Sequence, residues 1–117
     1  MALHKAQPMS QSAFEEQVLN EGRTTLVCFL EEWSEPCKEM DQTIDALSDA
    51  FYGQLEVHRM DLEEAPLAAA RFGINSIPAL VLFVGGEPVQ KLFGLREYED
   101  IHRIIAKHLC GCTAEGE

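Results

Sequence analysis

Two apolar runs decide most of what this chain can become. Thr24 to Leu30, TTLVCFL, and Ala79 to Val84, ALVLFV, are short, rich in β-branched residues and almost without polar positions. A strand with one wet face alternates polar and apolar side chains. A strand that does not alternate must be covered on both faces. These two runs therefore predict a sheet in the middle of the molecule, and the remaining chain has to supply helices for both of its sides.

It has the patterns to do so. Ser10 to Asn20 carries Ala13, Phe14, Val18 and Leu19 ahead of Gly22, a short amphipathic helix with a C-terminal stop. Residues 2–7 before it are expected as an edge strand that Pro8 ends. From Ser34, the residues Cys37, Met40, Ile44, Leu47 and Phe51 step by three or four along one stripe, a long helix closed by Gly53. Leu55 to Met60 alternates Leu55 and Val57 with Glu56 and His58, as a strand does. Glu64 to Phe72 is a short Ala-rich helix stopped by Gly73. Gly85-Gly86-Glu87-Pro88 is turn chemistry, and Val89 to Phe93 completes a hairpin. Arg96 to Leu109 predicts the last helix, with Ile101, Ile104, Ile105 and Leu109 inward. The order β-α-β-α-β-α-β-β-α is an α/β class: a central mixed sheet with helices on both faces. The 117 residues suffice for one domain, assigned to residues 1–109, with 110–117 as a polar tail containing Cys-x-Cys.

Composition narrows the function. The chain has 20 acidic and 9 basic residues and a net charge of −11, which disfavours nucleic acid and anionic membrane surfaces. The excess acid is read first as solubility, with an acidic face for a basic partner as the alternative. No apolar run approaches the ~20 residues that cross a bilayer. MALHKAQPMS lacks a signal-peptide apolar region, so the expected location is cytoplasmic. Four cysteines, Cys28, Cys37, Cys110 and Cys112, are too few and too unevenly placed for a secreted disulfide framework. Each is buried filler, a metal ligand or a reactive thiol. His4, His58 and His102 read as surface or strand-edge positions with no partner set visible.

The stretch Trp33-Ser34-Glu35-Pro36-Cys37 lies between the first buried run and the long helix. Ser34 is a good helix N-cap and Pro36 is tolerated in a first turn. A cysteine at position 34 would make a Cys-x-x-Cys redox pair.

The segments LVCFLEEWSEPCKEM, RFGINSIPALVLFVGGEPV and KLFG together resemble a thioredoxin, over about residues 5 to 109. That family has an apolar strand, W-C-G-P-C opening the second helix, an I-P-T turn about 40 residues later, a Gly-Glu hairpin and a Gly before the last helix. Here Pro78 follows Cys37 by 41 residues. The resemblance implies the thioredoxin fold, and it makes each departure informative. The family's nucleophile is the first Cys, exposed at a helix N-terminus that favours a thiolate; the second resolves the mixed disulfide. Position 34 is Ser, a far weaker acid that cannot exchange disulfides, so Cys37 matches the resolving thiol. Glu35 replaces the family's Gly and sets a carboxylate beside the site that opposes the helix dipole. Cys28 stands where the family has a buried acid that accepts the resolving thiol's proton. It is either a small hydrophobe or an unconventional partner for Cys37. Trp33 matches the Trp flanking the site, with core packing or docking as its roles. Pro78 matches the family's cis-proline, whose preceding residue, here Ile77, offers backbone hydrogen bonds to an extended substrate. Gly94 matches a groove-lining Gly.

The functional expectation is a thioredoxin-like protein of the thiol-disulfide oxidoreductase family with a degenerate SxxC site. It binds protein thiol or disulfide clients and does at most one-thiol chemistry through Cys37. Conventional dithiol reductase activity is expected to be weak or absent. Two alternatives stay open. One is a non-catalytic binding module that keeps the groove of Trp33, Glu35, Pro36, Ile77, Pro78 and Gly94. The other is a dithiol oxidoreductase using Cys28/Cys37 or Cys110/Cys112. The tail thiols are incidental, redox-active, or metal ligands with His108, although three ligands fall short of zinc's four. No cofactor or metal is implied. Expected partners are protein or peptide clients, with a reductase of the thioredoxin-reductase kind as a candidate.

Overall fold

The computed structural model describes residues 4–110. Strand β1 is Gln7–Pro8, and helix α1 begins at Gln11–Ala13 and continues as a π-helical segment, Phe14–Asn20. Then come β2 (Thr25–Leu30), α2 (Glu35–Ala50) and β3 (Glu56–Asp61). A 3₁₀ turn, Leu62–Glu64, leads into α3 (Pro66–Arg71), followed by β4 (Ala79–Val84), β5 (Glu87–Phe93) and α4 (Tyr98–Cys110). The five strands form one sheet in the order β1-β3-β2-β4-β5. β1, β3 and β2 are parallel to one another, and β4 pairs antiparallel with both β2 and β5.

The non-alternating runs are covered on both faces, as their composition requires. Leu26, Cys28, Leu80 and Leu82 pack with Met40, Ile44, Leu47, Ile101 and Ile105 under α2 and α4. Val27, Phe29, Val81 and Phe83 pack with Phe14, Val18, Ala68, Ala69 and Phe72 under α1, its π-helical continuation and α3. Neighbouring residues of one strand thus serve two cores, which is why neither run contains a polar period. Phe14, Phe72 and Phe83 meet edge to face, with centroids 5.1 to 5.8 Å apart.

Three details differ from the sequence expectation. Among the described residues the edge strand expected at 2–7 is confined to Gln7–Pro8: Ala6 N–H donates to Asp45 Oδ1 rather than to the sheet, and Pro8 lies within the strand instead of ending it. The first helix is mostly π. Ala13 with Val18, and Phe14 with Val18 and Leu19, are separated by four and five residues, a spacing that the wider π turn accommodates. His58 has partners: Nε2 lies 3.0 Å from Glu56 Oε1, and Nδ1 lies 3.3 Å from Gln7 O. Burial pulls the Glu56 carboxyl up, but hydrogen bonds from His58 and Arg23 outweigh it and hold it below the usual range.

Candidate active site

The sheet brings the site together by register. Leu30, the last residue of β2, pairs with Asp61, the last of β3, and Phe29 pairs with Ala79, the first of β4. The turn after β2 and the turn before β4 therefore share one end of the sheet. The first holds Trp33, Ser34, Glu35 and Pro36; the second holds Ile77 and Pro78. Gly94, just past β5, joins them by donating its N–H to Pro78 O at 2.8 Å. Its φ of +82° is a conformation that a side chain would strain. The Ile77–Pro78 peptide bond is cis. Trp33 is 68% exposed, so its ring lies on the surface and not in the core.

Ser34 caps α2. Its Oγ accepts the N–H of Cys37 at 3.4 Å, and Pro36 sits in the first turn, where no intrahelical donor is lost. Ser34 is 7% exposed, and its hydroxyl is turned into the helix end. Cys37 Sγ in turn accepts the backbone N–H of Glu31 at 3.5 Å. Cys37 is 4% exposed, yet it lines a cleft of roughly 360 Å³ between α2 and the ends of β2 and β3. Leu30, Glu31, Lys38, Asp41, Arg59 and Met60 are among the other walls.

Cys28 lies beneath, fully buried on the α2 face of β2 and paired in register with Arg59. Desolvation pushes its thiol up to about 12, only partly countered by the Arg59 charge. It is therefore a neutral thiol at physiological pH and supplies no carboxylate for Cys37. Both cysteines are free thiols. Arg59 points along the same face and binds two carboxylates of α2: Asp45 through Nη2 at 2.8 Å, and Asp41 through Nη1. Burial lowers the Arg59 guanidinium's affinity for its proton, but these bonds outweigh it and the net shift is upward.

Sequence reading missed this ion-pair cluster. Its signals were present: a charged residue at an inward strand position, and two aspartates at i and i+4 on the facing helix. Cys110 ends α4 and Cys112 lies outside the described residues, so the Cys110/Cys112 readings are not addressed by the described structure. His108 Nε2 is 3.3 Å from Gln90 Oε1. Among the described residues, no group of three or more His, Cys, Asp and Glu is arranged to hold a metal ion.

Fold and site define the class, and comparison with known proteins agrees. The thioredoxin family model matches residues 5–107. The chain is 33% identical over 101 residues to a thioredoxin of Staphylococcus haemolyticus, covering 86% of this chain and 95% of that one. It is 30% identical over 104 residues to thioredoxin 1 of a Nostoc species, covering 89% and 97%. A solved structure, a point-mutant thioredoxin from Halobacterium salinarum, superposes with a TM-score of 0.77 over 93% of this chain and 95% of that one. At 23% identity, that likeness speaks for the fold. The chain belongs to the thioredoxin family.

Proposed function

We propose that this protein binds thiol or disulfide clients at the Trp33, Ile77–Pro78 and Gly94 surface and does at most one-thiol chemistry through Cys37. The observation that carries this reading is the occupation of position 34. Its hydroxyl is engaged in capping the amide of Cys37, and among the described residues the thiol at the helix opening is that of Cys37, on the wall of a cleft. A Cys37 thiolate attacking a client disulfide R–S–S–R′ forms Cys37–S–S–R and releases R′–S⁻. Ser34 supplies no thiol to complete the cycle, so on this reading the mixed disulfide lasts until an external small thiol attacks it. The protein then holds clients rather than reducing them.

A second reading is favoured by the 4% exposure of Cys37: a binding module whose thiol does no chemistry. Alkylation of the native protein, followed residue by residue by mass spectrometry, separates the two. Labelling of Cys37 well ahead of Cys28 supports the first, and equal protection of both supports the second. A reversible Cys28–Cys37 disulfide sinks both in favour of a dithiol enzyme. Insulin-type disulfide reduction is expected to be negligible for the native chain and measurable for Ser34→Cys. That gain should fall short of a full thioredoxin because Cys28 replaces the buried acid.

A further inference from the structure

The site end of the molecule combines exposed apolar side chains with clefts lined by an excess of acidic ones. Trp33 is 68% exposed, Leu95 51% and Phe93 37%, and Gly94 joins Phe93 and Leu95 to Pro78. Two clefts flank the N-terminal half of α2. The cleft of roughly 360 Å³ is walled by Glu31, Glu32, Asp61 and Glu64 besides Cys37. The other, roughly 480 Å³, lies between Glu39 and Met40 of α2 and the segment Leu95, Glu97 and Asp100.

The cations nearby are mostly committed. Lys38 pairs with Glu35, Arg59 with Asp41 and Asp45, and Arg103 with Asp100. Arg96, on the second cleft, is the remaining positive charge there. Among the described residues, Glu31, Glu32, Glu39, Glu64 and Glu97 form no ion pair. These carboxylates are divided between the two clefts, Glu31, Glu32 and Glu64 on the first and Glu39 and Glu97 on the second, and do not converge as metal ligands would. An excess of like charge beside exposed apolar side chains repels acidic partners and attracts an extended cationic one.

We propose that this end docks basic protein segments: an apolar side chain lies against Trp33 and Leu95 while flanking Lys or Arg side chains meet Glu31, Glu32, Glu64 and Glu97. The proposal rests on the client-binding reading above and gives the client's chemistry. Among cysteines offered to Cys37, those in Lys- or Arg-rich surroundings are selected.

Two peptides test it, with the same apolar residues and one cysteine each, activated as a mixed disulfide with thionitrobenzoate, and flanked by Lys in one and Glu in the other. Trp33, the only tryptophan, reports docking by fluorescence. Attack by Cys37 forms Cys37–S–S–peptide and expels thionitrobenzoate, which is read by its colour, with the adduct located by mass spectrometry. At about 0.01 M salt the Lys peptide is expected to bind at least about tenfold more tightly, and the ratio should collapse toward one at about 1 M, where screening reaches contact distances. Glu31→Gln/Glu32→Gln/Glu64→Gln should remove most of the preference. Glu15→Gln/Asp49→Asn/Glu87→Gln, with the same charge change away from the two clefts, should keep it. Equal affinity for the two peptides overturns the proposal, as does an equal loss in both triple variants; one-thiol chemistry survives either result if the adduct forms. A Lys preference without any adduct upholds the docking surface and removes the one-thiol reading.

Discussion

Ser34 Oγ accepts the Cys37 amide, and that single bond makes position 34 structural. Ser34→Ala leaves a buried N–H of the first turn without its partner. It should cost about 1 kcal/mol, read as a lowered denaturation midpoint. Cys28 makes a different demand. Its proton is held in the folded state well above the ordinary thiol value, while the unfolded chain releases it near 9. A raised folded value gives stability that is complete below the unfolded one and is lost as pH rises through the folded one. Unfolding free energy should therefore fall between about pH 9 and pH 12, by on the order of a few kcal/mol in total from this group. Cys28→Ala should flatten that part of the profile, measured as the difference between the two proteins' stability curves. An unchanged alkaline slope would show that Cys28 is not the group responsible.

At the scale of elements, Arg59 ties β3 to α2 through Asp41 and Asp45, and Asp45 Oδ1 also accepts the N–H of Ala6. This cluster fixes the helix that carries Cys37 against the strand that forms one wall of its cleft. Arg59→Met removes the cation but leaves Asp45, whose side chain is only 19% exposed, with one partner fewer. A destabilisation of about 1–3 kcal/mol is expected by denaturant unfolding. Arg59→Met/Asp45→Leu should recover part of it, because both charges then leave together. The long helix was legible as a period in the sequence, the paired buried strands as runs without one, and the hairpin by its turn residues. The π-helical form of the first helix was not, since amphipathic spacing of four and five suits more than one helical winding. Nor was the Arg59 cluster, because strand alternation fixes a side chain's face and not what waits on the facing element.

At the scale of the whole molecule, a net charge of −11 on 117 residues makes the folded state repel itself. Screening should relieve this: raising salt from about 0.01 M to about 1 M with a weakly binding salt is expected to raise the thermal midpoint by several degrees. A falling midpoint would point instead to ion pairs such as Arg23 with Glu21 and Glu56 as the dominant electrostatic contribution. No described helix is long and apolar enough to cross a membrane.

The sequence by itself determined the layered α/β architecture, because two runs without a polar period, too short for helices, read as strands covered on both faces, and stripes at helical spacing provide the cover. It also determined that position 34 carries no thiol and that position 28 carries no acid. Only the tertiary structure decided what those substitutions mean. Burial makes Cys28 a neutral thiol, packing seats Ser34 Oγ on the Cys37 amide, and β2–β3–β4 register gathers Trp33, Cys37, Pro78 and Gly94 at one end of the sheet. Local patterns depend on the chain's own periodicity. Burial, proton affinity and the company a charge keeps depend on which distant segments fold against it.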